Sequence, residues 1–193
     1  MSVSRETDKL AQYAALIRKW NGAINLVAPS TLDQVESRHI GDCLKLVQVS
    51  RAASDIWVDL GSGGGLPGLV VAICRPDLDV RLVESDKRKG SFLRSVIREV
   101  GLANATVIAE RIETTAPMKA QQVSARALAP LPLLLSYVHR HLAPGGTAWL
   151  MKGRNWQEEV RLAQSDWSFN FAVHSSATDP DAAILEITEL DHA

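Results

Sequence analysis

Trp57-Val-Asp-Leu-Gly-Ser-Gly-Gly-Gly-Leu-Pro-Gly68 runs from an apolar, strand-like segment into a glycine-rich turn and on into a helix opened by proline. Glycine tolerates positive φ and lets a ligand come against the backbone, here at the carboxyl end of a strand, where open α/β sheets bind ligands. The stretch therefore predicts a parallel α/β fold with something flat and extended lying across the turn. A turn that is merely tight and binds nothing is the plain alternative.

Working outward, short aliphatic runs alternate with helical ones from Asp55 onward, the pattern of βαβ units. Strands are predicted at 56–60, 80–84, 106–109, 123–125 and 147–151. Helices are predicted at 67–74, 87–100 and 130–141, the last closed by Pro144-Gly-Gly, with a short one at 157–163. Two further strands, 168–174 and 183–190, joined by Ala177-Thr-Asp-Pro-Asp, suggest an antiparallel hairpin at the sheet edge. Ahead of the core lies an all-helical lead. Its first helix carries Leu10, Tyr13 or Ala14, and Ile17 inward and ends near Trp20-Asn21-Gly22. Its second starts after Pro29 with Ser30 as cap and carries Val35, Ile40, Cys43, Leu44 and Val47 inward.

The chain has 193 residues, 46% hydrophobic and 22% charged. That fits one domain with a sizeable core, spanning 1–193, with a helical extension (1–50) and a ligand-binding core (55–193). No apolar run approaches the ~18 residues of a membrane span, and the charged N-terminus does not read as a secretory signal, so a cytoplasmic protein is expected. Cys43 and Cys74 have no CxxC spacing and no histidine at a ligand interval, so no metal is expected. The net charge of −1 hides its distribution: 87–98 holds five basic residues and no acid, and 175–193 holds five acids and no Lys or Arg. A basic patch able to meet RNA phosphates is compatible with the near-neutral total.

Two ligands compete for the glycine turn. Gly63, Gly65 and Gly68 match the GxGxxG of nucleotide-dependent dehydrogenases, whereas Asp59, Gly61, Gly63 and Gly65 match the DxGxGxG of methyltransferases. The first glycine after the strand is Gly61, an acid sits at the strand end, and Pro67 interrupts the dehydrogenase pattern. Asp59 would repel a pyrophosphate and suit the cationic ammonium of S-adenosylmethionine. Glu84, ending the next strand, can accept from two ribose hydroxyls of either ligand.

For methyl transfer the protein must hold donor and nucleophile in line. Cysteine attack for pyrimidine carbon methylation is disfavoured, since Cys74 falls in a helix and Cys43 in the lead. The clamp usual for exocyclic amines is replaced by Ser124-Ala-Arg-Ala-Leu-Ala-Pro130. A ring nitrogen such as guanine N7 bears a lone pair and no proton, so the lack of an evident base is expected there. Arg126 is predicted to point into the cofactor cleft, where a guanidinium can bind a carboxylate or phosphate or stack on a base; a structural ion pair is the alternative. Arg111-Ile112-Glu113 could line the adenine side, and Lys87, Arg88, Lys89, Arg94 and Arg98 could contact phosphates.

Together these motifs resemble the bacterial 16S rRNA guanine-N7 methyltransferase family RsmG, also called GidB. The likeness covers nearly the whole chain and rests on Trp20-Asn-Gly-Ala-Ile-Asn-Leu-Val27, Arg38-His-Ile-Gly-Asp42, Asp59 to Gly68, Val83-Glu-Ser-Asp-Lys-Arg-Lys89, Ser124-Ala-Arg-Ala-Leu-Ala129 and Leu150-Met-Lys-Gly153. It implies a class I Rossmann-like methyltransferase: a seven-stranded, mostly parallel sheet with helices on both faces and a helical N-terminal extension. It also implies S-adenosylmethionine as cofactor and a guanine in the 530 loop of 16S rRNA, conventionally position 527, as target. By the same resemblance the cofactor contacts fall on Gly61, Leu66, Ile112, Glu113 and Arg126, with Glu84 in the usual ribose position and Arg126 also positioning the reactants; the motif itself adds Asp59, Gly63 and Gly65 to the expected cofactor residues. The implied RNA contacts are Arg38, His39, Lys87, Arg88, Arg111 and Lys152. Where some relatives carry an arginine before the last strand this chain has Asp181-Ala-Ala183, so that charge must come from another segment. The partner implied is 16S rRNA or an assembling small subunit, met by a monomer with weak, salt-dependent affinity. A methyltransferase of another RNA or small molecule, an NAD(P)-dependent oxidoreductase and a cofactor-sensing protein without turnover remain the alternatives.

Overall fold

Seven strands form one sheet in the order β3-β2-β1-β4-β5-β7-β6 in the computed structural model, which describes residues 2–50 and 56–193, with side chains from residue 5. Asp55, where the alternating pattern is predicted to begin, lies outside the described residues. The strands are β1 (Ile56–Leu60), β2 (Asp79–Val83), β3 (Ala105–Ile108), β4 (Ala120–Arg126), β5 (Leu142–Lys152), β6 (Trp167–Ser175) and β7 (Ala183–His192). The first five pair in parallel; β7 runs antiparallel between β5 and β6, the predicted terminal hairpin. The order reverses beside β1, so β1 and β4 border the crevice in which such sheets hold ligands.

Alternation along β1 sends successive side chains to opposite faces. Trp57 joins a core shared with α1 (Ser2–Asn21), α2 (Gly41–Val49), α3 (Gly68–Cys74) and α4 (Lys87–Val100). Val58 and Leu60 join a second core under α5 (Leu131–His141) and α6 (Trp156–Ala163). Helices thus cover both faces. The lead is built into the first core: Tyr13, Ala14 and Ile17 are fully buried, and Trp20 meets Phe92 of α4 edge to face with centroids 5.7 Å apart. α4 has the predicted ends because the Asp86 carboxylate accepts from the Arg88 and Lys89 N–H groups and Gly101 turns left-handed at φ 68°.

Two predicted elements change. The second helix of the lead is broken into a 3-10 turn (Pro29–Gln34), a π-helical turn (Val35–Ile40) and α2, and Ser30 does not cap it. Leu46 is its buried leucine, while Leu44 and Val47 are only half-buried. Pro144-Gly-Gly does not close α5; β5 begins directly after His141, because Leu142 pairs with Ala120 of β4.

Candidate functional site

The glycine turn is stapled to the end of β2. Gly61, Gly63 and Gly65 all have positive φ (64°, 52° and 86°), conformations that cost other residues about 1 kcal/mol each. The Ser62 N–H donates to the Val83 carbonyl at 3.0 Å and the Gly65 N–H to the Ser62 carbonyl at 2.6 Å. Glu84, the residue after β2, accepts from the Gly63 N–H at 2.8 Å and from the Asp86 N–H at 2.7 Å. From the other side, the buried Tyr13 hydroxyl donates to the Gly64 carbonyl at 2.6 Å, so the extension helps shape the turn.

A cleft of about 360 Å³ opens over this turn, within the usual size range of small-molecule sites. Gly61, Gly63, Glu84, Ile112 and Glu113, five of the predicted cofactor residues, converge on it. A Cβ on Gly63 would meet nothing nearer than the Gly61 carbonyl at 3.7 Å, so the backbone is open at this point of the cleft wall. Tyr137 also lines it and donates to Glu113 at 3.1 Å. The Glu113 carboxyl lies below its ordinary pKa, first through its own backbone N–H and then through Tyr137 and Arg111. Arg111, predicted as an RNA contact, belongs to this cleft and sits 3.3 Å from Glu113. Lys89 lines the same wall. Tyr137 left no motif in the sequence, and Lys89 was legible only as part of a basic run.

Three predicted cofactor residues are not on that wall. Leu66 is buried in the core beneath the extension. Gly65 has its would-be Cβ 3.0 Å from the Tyr13 hydroxyl. Asp59 is 1% exposed and faces inward. Its Oδ1 accepts from Ser124 at 2.6 Å, whose own oxygen accepts from the Trp57 indole at 2.8 Å, while Oδ2 has no hydrogen-bond partner. Burial pushes the Asp59 carboxyl up to about 6, against the pull of Ser124. Asp59 thus lies beneath the turn and is not among the residues that line the cleft.

Arg126 also lies elsewhere, in a second chamber of about 470 Å³. Ala127, Leu128 and Ala129 line both chambers and stand between them. Leu128 lies over the turn, its Cδ1 2.5 Å from where a Gly61 Cβ would be. The Arg126 guanidinium donates to the His39 carbonyl at 3.3 Å, to Cys43 Sγ at 3.9 Å and to His39 Nδ1. Among the described residues no carboxylate lies within salt-bridge distance of Arg126, so the ion-pair alternative does not hold. Burial drives the Cys43 thiol up to about 12; it is an inert, buried small residue.

The predicted RNA contacts separate. Arg38 is exposed on the rim of the second chamber. Lys87 and Arg88 are exposed at the start of α4, Arg88 3.9 Å from Asp86. His39 is buried at 7% exposure. Lys152 lines the second chamber, but its ammonium is spent on Glu159 at 2.6 Å and the Ala129 carbonyl at 3.0 Å. Asp42, which closes the Arg38-His-Ile-Gly-Asp42 segment, accepts from Ser176 (2.6 Å), the Ala177 N–H (3.1 Å) and Thr178 (2.9 Å). It thereby ties the β6–β7 connection to the extension, and Ala182 of that connection and Ala183 at the start of β7 line the second chamber.

The model of one family, GidB, described as rRNA small subunit methyltransferase G, matches residues 6–186. The chain belongs to the GidB family. It is 66% identical to the ribosomal RNA small subunit methyltransferase G of Paracoccus denitrificans over 193 residues, all of both chains. It is 49% identical to that of Rhodospirillum centenum over 189 residues, 97% of this chain and 87% of the relative. Among solved structures it resembles one described as an S-adenosyl-L-methionine-dependent methyltransferase of Methanococcus maripaludis, with a TM-score of 0.66 at 12% identity over 93% of each chain. That likeness is one of fold: a seven-stranded, mostly parallel sheet with helices on both faces, as the family resemblance implied. Family membership decides between the two readings of that turn in favour of methyl transfer over nucleotide-dependent oxidation.

Proposed function

We propose that the protein transfers the methyl group of S-adenosylmethionine to N7 of a guanine, position 527 by convention, in the 530 loop of 16S rRNA. The full-length 66% identity to a ribosomal RNA small subunit methyltransferase G carries this reading. The cleft fits the cofactor: Gly63, at positive φ with no side chain against it, lets a ligand come against the backbone, and the Glu84 carboxylate stands just after β2. Gly61 and Gly63 would hold it by close backbone approach, Glu84 would accept from the ribose hydroxyls, and Ile112 would cover the adenine. When bound, S-adenosylmethionine supplies an electrophilic methyl group on a sulfonium.

The chain's own work is orientation. Guanine N7 offers a lone pair and carries no proton, so no side chain has to remove one. Arg126 positions the RNA from the second chamber, where among the described residues no carboxylate is within salt-bridge distance of it, although Asp42, Glu159 and Asp179 also line the chamber. Arg38 extends that positive rim, and Lys87 and Arg88 meet phosphates further out. The enzyme acts as a cytoplasmic monomer of one domain, residues 1–193, with 1–50 as the extension and 55–193 as the cofactor-binding core. Among the described residues no helix is long and apolar enough to cross a membrane.

The test is to incubate the protein with S-adenosylmethionine and unmethylated 16S rRNA, or small subunits, then digest the RNA and measure methylated nucleosides by mass spectrometry. The expected product is 7-methylguanosine. Its absence from both substrates, while S-adenosylmethionine still binds, would overturn the assignment of target and leave fold and cofactor standing.

A further inference from the structure

We propose that His39 is a positioning residue: its neutral imidazole aims the Arg126 guanidinium into the second chamber, and it does not touch RNA itself. This deepens the proposed function and rests on it.

The hydrogen-bond network assigns the tautomer. The Thr31 hydroxyl has one proton and donates it to the Ala28 carbonyl at 3.0 Å. At its 2.8 Å contact with His39 Nε2 the hydroxyl oxygen must therefore accept, and Nε2 carries the hydrogen. Nδ1 is left as a bare lone pair, and Arg126 Nη2 donates to it. The His39 carbonyl takes Nη1 as well. One residue thus holds two prongs of the guanidinium, and Cys43 Sγ is the third partner atom. A guanidinium has about five N–H donors, so about two remain for a ligand.

The choice of acceptor is the informative feature. A carboxylate in this position would fix Arg126 equally well but cancel its charge in a salt bridge. A neutral imidazole sets direction and leaves the positive charge available to an anionic ligand in the chamber. Burial first, and then the charge of Arg126, hold His39 at about 4, so it is neutral at physiological pH. The backbone is built for this placement. His39 sits in the π-helical turn Val35–Ile40, a rare geometry that recurs at functional sites. That turn buries His39 while leaving its neighbour Arg38 exposed.

Three substitutions separate aiming from mere support. His39→Asn places an amide oxygen near the position of Nδ1 and can still accept from Arg126. His39→Gln places its amide near Nε2, keeping the Thr31 contact and leaving Arg126 without its acceptor, and His39→Ala loses both. For RNA methylation, kcat/KM should fall about ten-fold or more in the Gln and Ala variants and stay within about three-fold of wild type in Asn, as expected for one hydrogen bond to a charged group. Calorimetric S-adenosylmethionine affinity should change less than about two-fold in all three, because Arg126 is outside that cleft, and thermal midpoints would verify folding. Equal activity of the Asn and Gln variants, Gln outperforming Asn, or a parallel loss of cofactor affinity would overturn the proposal. Nitrogen-15 NMR of His39 reads the tautomer without catalysis: a proton on Nδ1 at neutral pH overturns the proposal by itself. A wild-type protein that makes no 7-methylguanosine would instead overturn the reading of function.

Discussion

Replacing Glu84 with Gln keeps the shape of the side chain and removes one acceptor from the cofactor cleft. The carboxylate now serves two backbone donors, Gly63 at 2.8 Å and Asp86 at 2.7 Å, from a residue only 8% exposed. A Gln amide has one oxygen, so its NH2 must face the other N–H group and that donor loses its partner. A hydrogen bond to a charged group is worth about 1.5–3 kcal/mol, so the variant should be about 2 kcal/mol less stable. For a domain of this size that lowers the thermal midpoint by roughly 4–8 °C. The same amide is a poorer acceptor for ribose hydroxyls, and S-adenosylmethionine affinity should fall about ten-fold or more. Differential scanning calorimetry and isothermal titration read the two effects separately. A midpoint within about 1 °C of wild type, together with an unchanged dissociation constant, would refute the role given to Glu84 in both the turn and the cleft.

Gly63→Asp places a charged side chain into the cleft at a φ of 52° and should abolish cofactor binding by calorimetry; retained affinity would remove the cleft from the site. Asp59, with its carboxyl raised to about 6, keeps a proton in the fold that the unfolded chain has released above about pH 4, so its contribution to stability falls as pH rises through that window. The change approaches about 3 kcal/mol at most. His39, held at about 4, acts in the opposite sense over the same window, so the readout is the difference between wild type and Asp59→Asn in urea unfolding from pH 4 to 7. A difference that does not vary with pH would contradict the buried, protonated Asp59. Glu159→Ala strands the Lys152 ammonium, 9% exposed, and takes the acceptor from the Leu131 N–H; a loss of about 3 kcal/mol in chemical denaturation is expected. A neutral result would mean that Lys152 is free to serve as the RNA contact first expected of it.

Much of the fold was legible because local signals agreed with the tertiary outcome. The run from Ile56 to Leu60 and the amphipathic span from Lys87 to Val100 have the predicted ends, the second because Asp86 and Gly101 are strong capping residues in any context. The second helix of the lead failed for the converse reason. Its apolar spacing is helical, but the winding into 3-10, π and α turns is set by what His39 and Asp42 must reach, Arg126 on β4 and the β6–β7 connection, both distant in sequence. Lys152 was legible as a cation and not as a paired one, since its partner Glu159 sits on the next helix with no motif to mark it.

The inward placement of Asp59 and the meeting of Arg126 with the lead follow from a periodicity that was available in the sequence. Side chains two residues apart on a strand share a face. Trp57 faces the core built with the extension, so Asp59 must face it too, and it is buried there. On β4, Ala125 belongs to the opposite core, while Ser124 meets Trp57 and Asp59 on the extension face. Arg126 is two residues beyond Ser124 and returns to that face, where His39 and Cys43 of the lead receive it. Convergence of strand ends explains why Glu84 and Arg126 lie near one crevice, and Leu128, which lines both chambers, stands between them. The helical lead is therefore a structural part of the site: without it, Arg126 would have the right place in the sheet and nothing to set its direction.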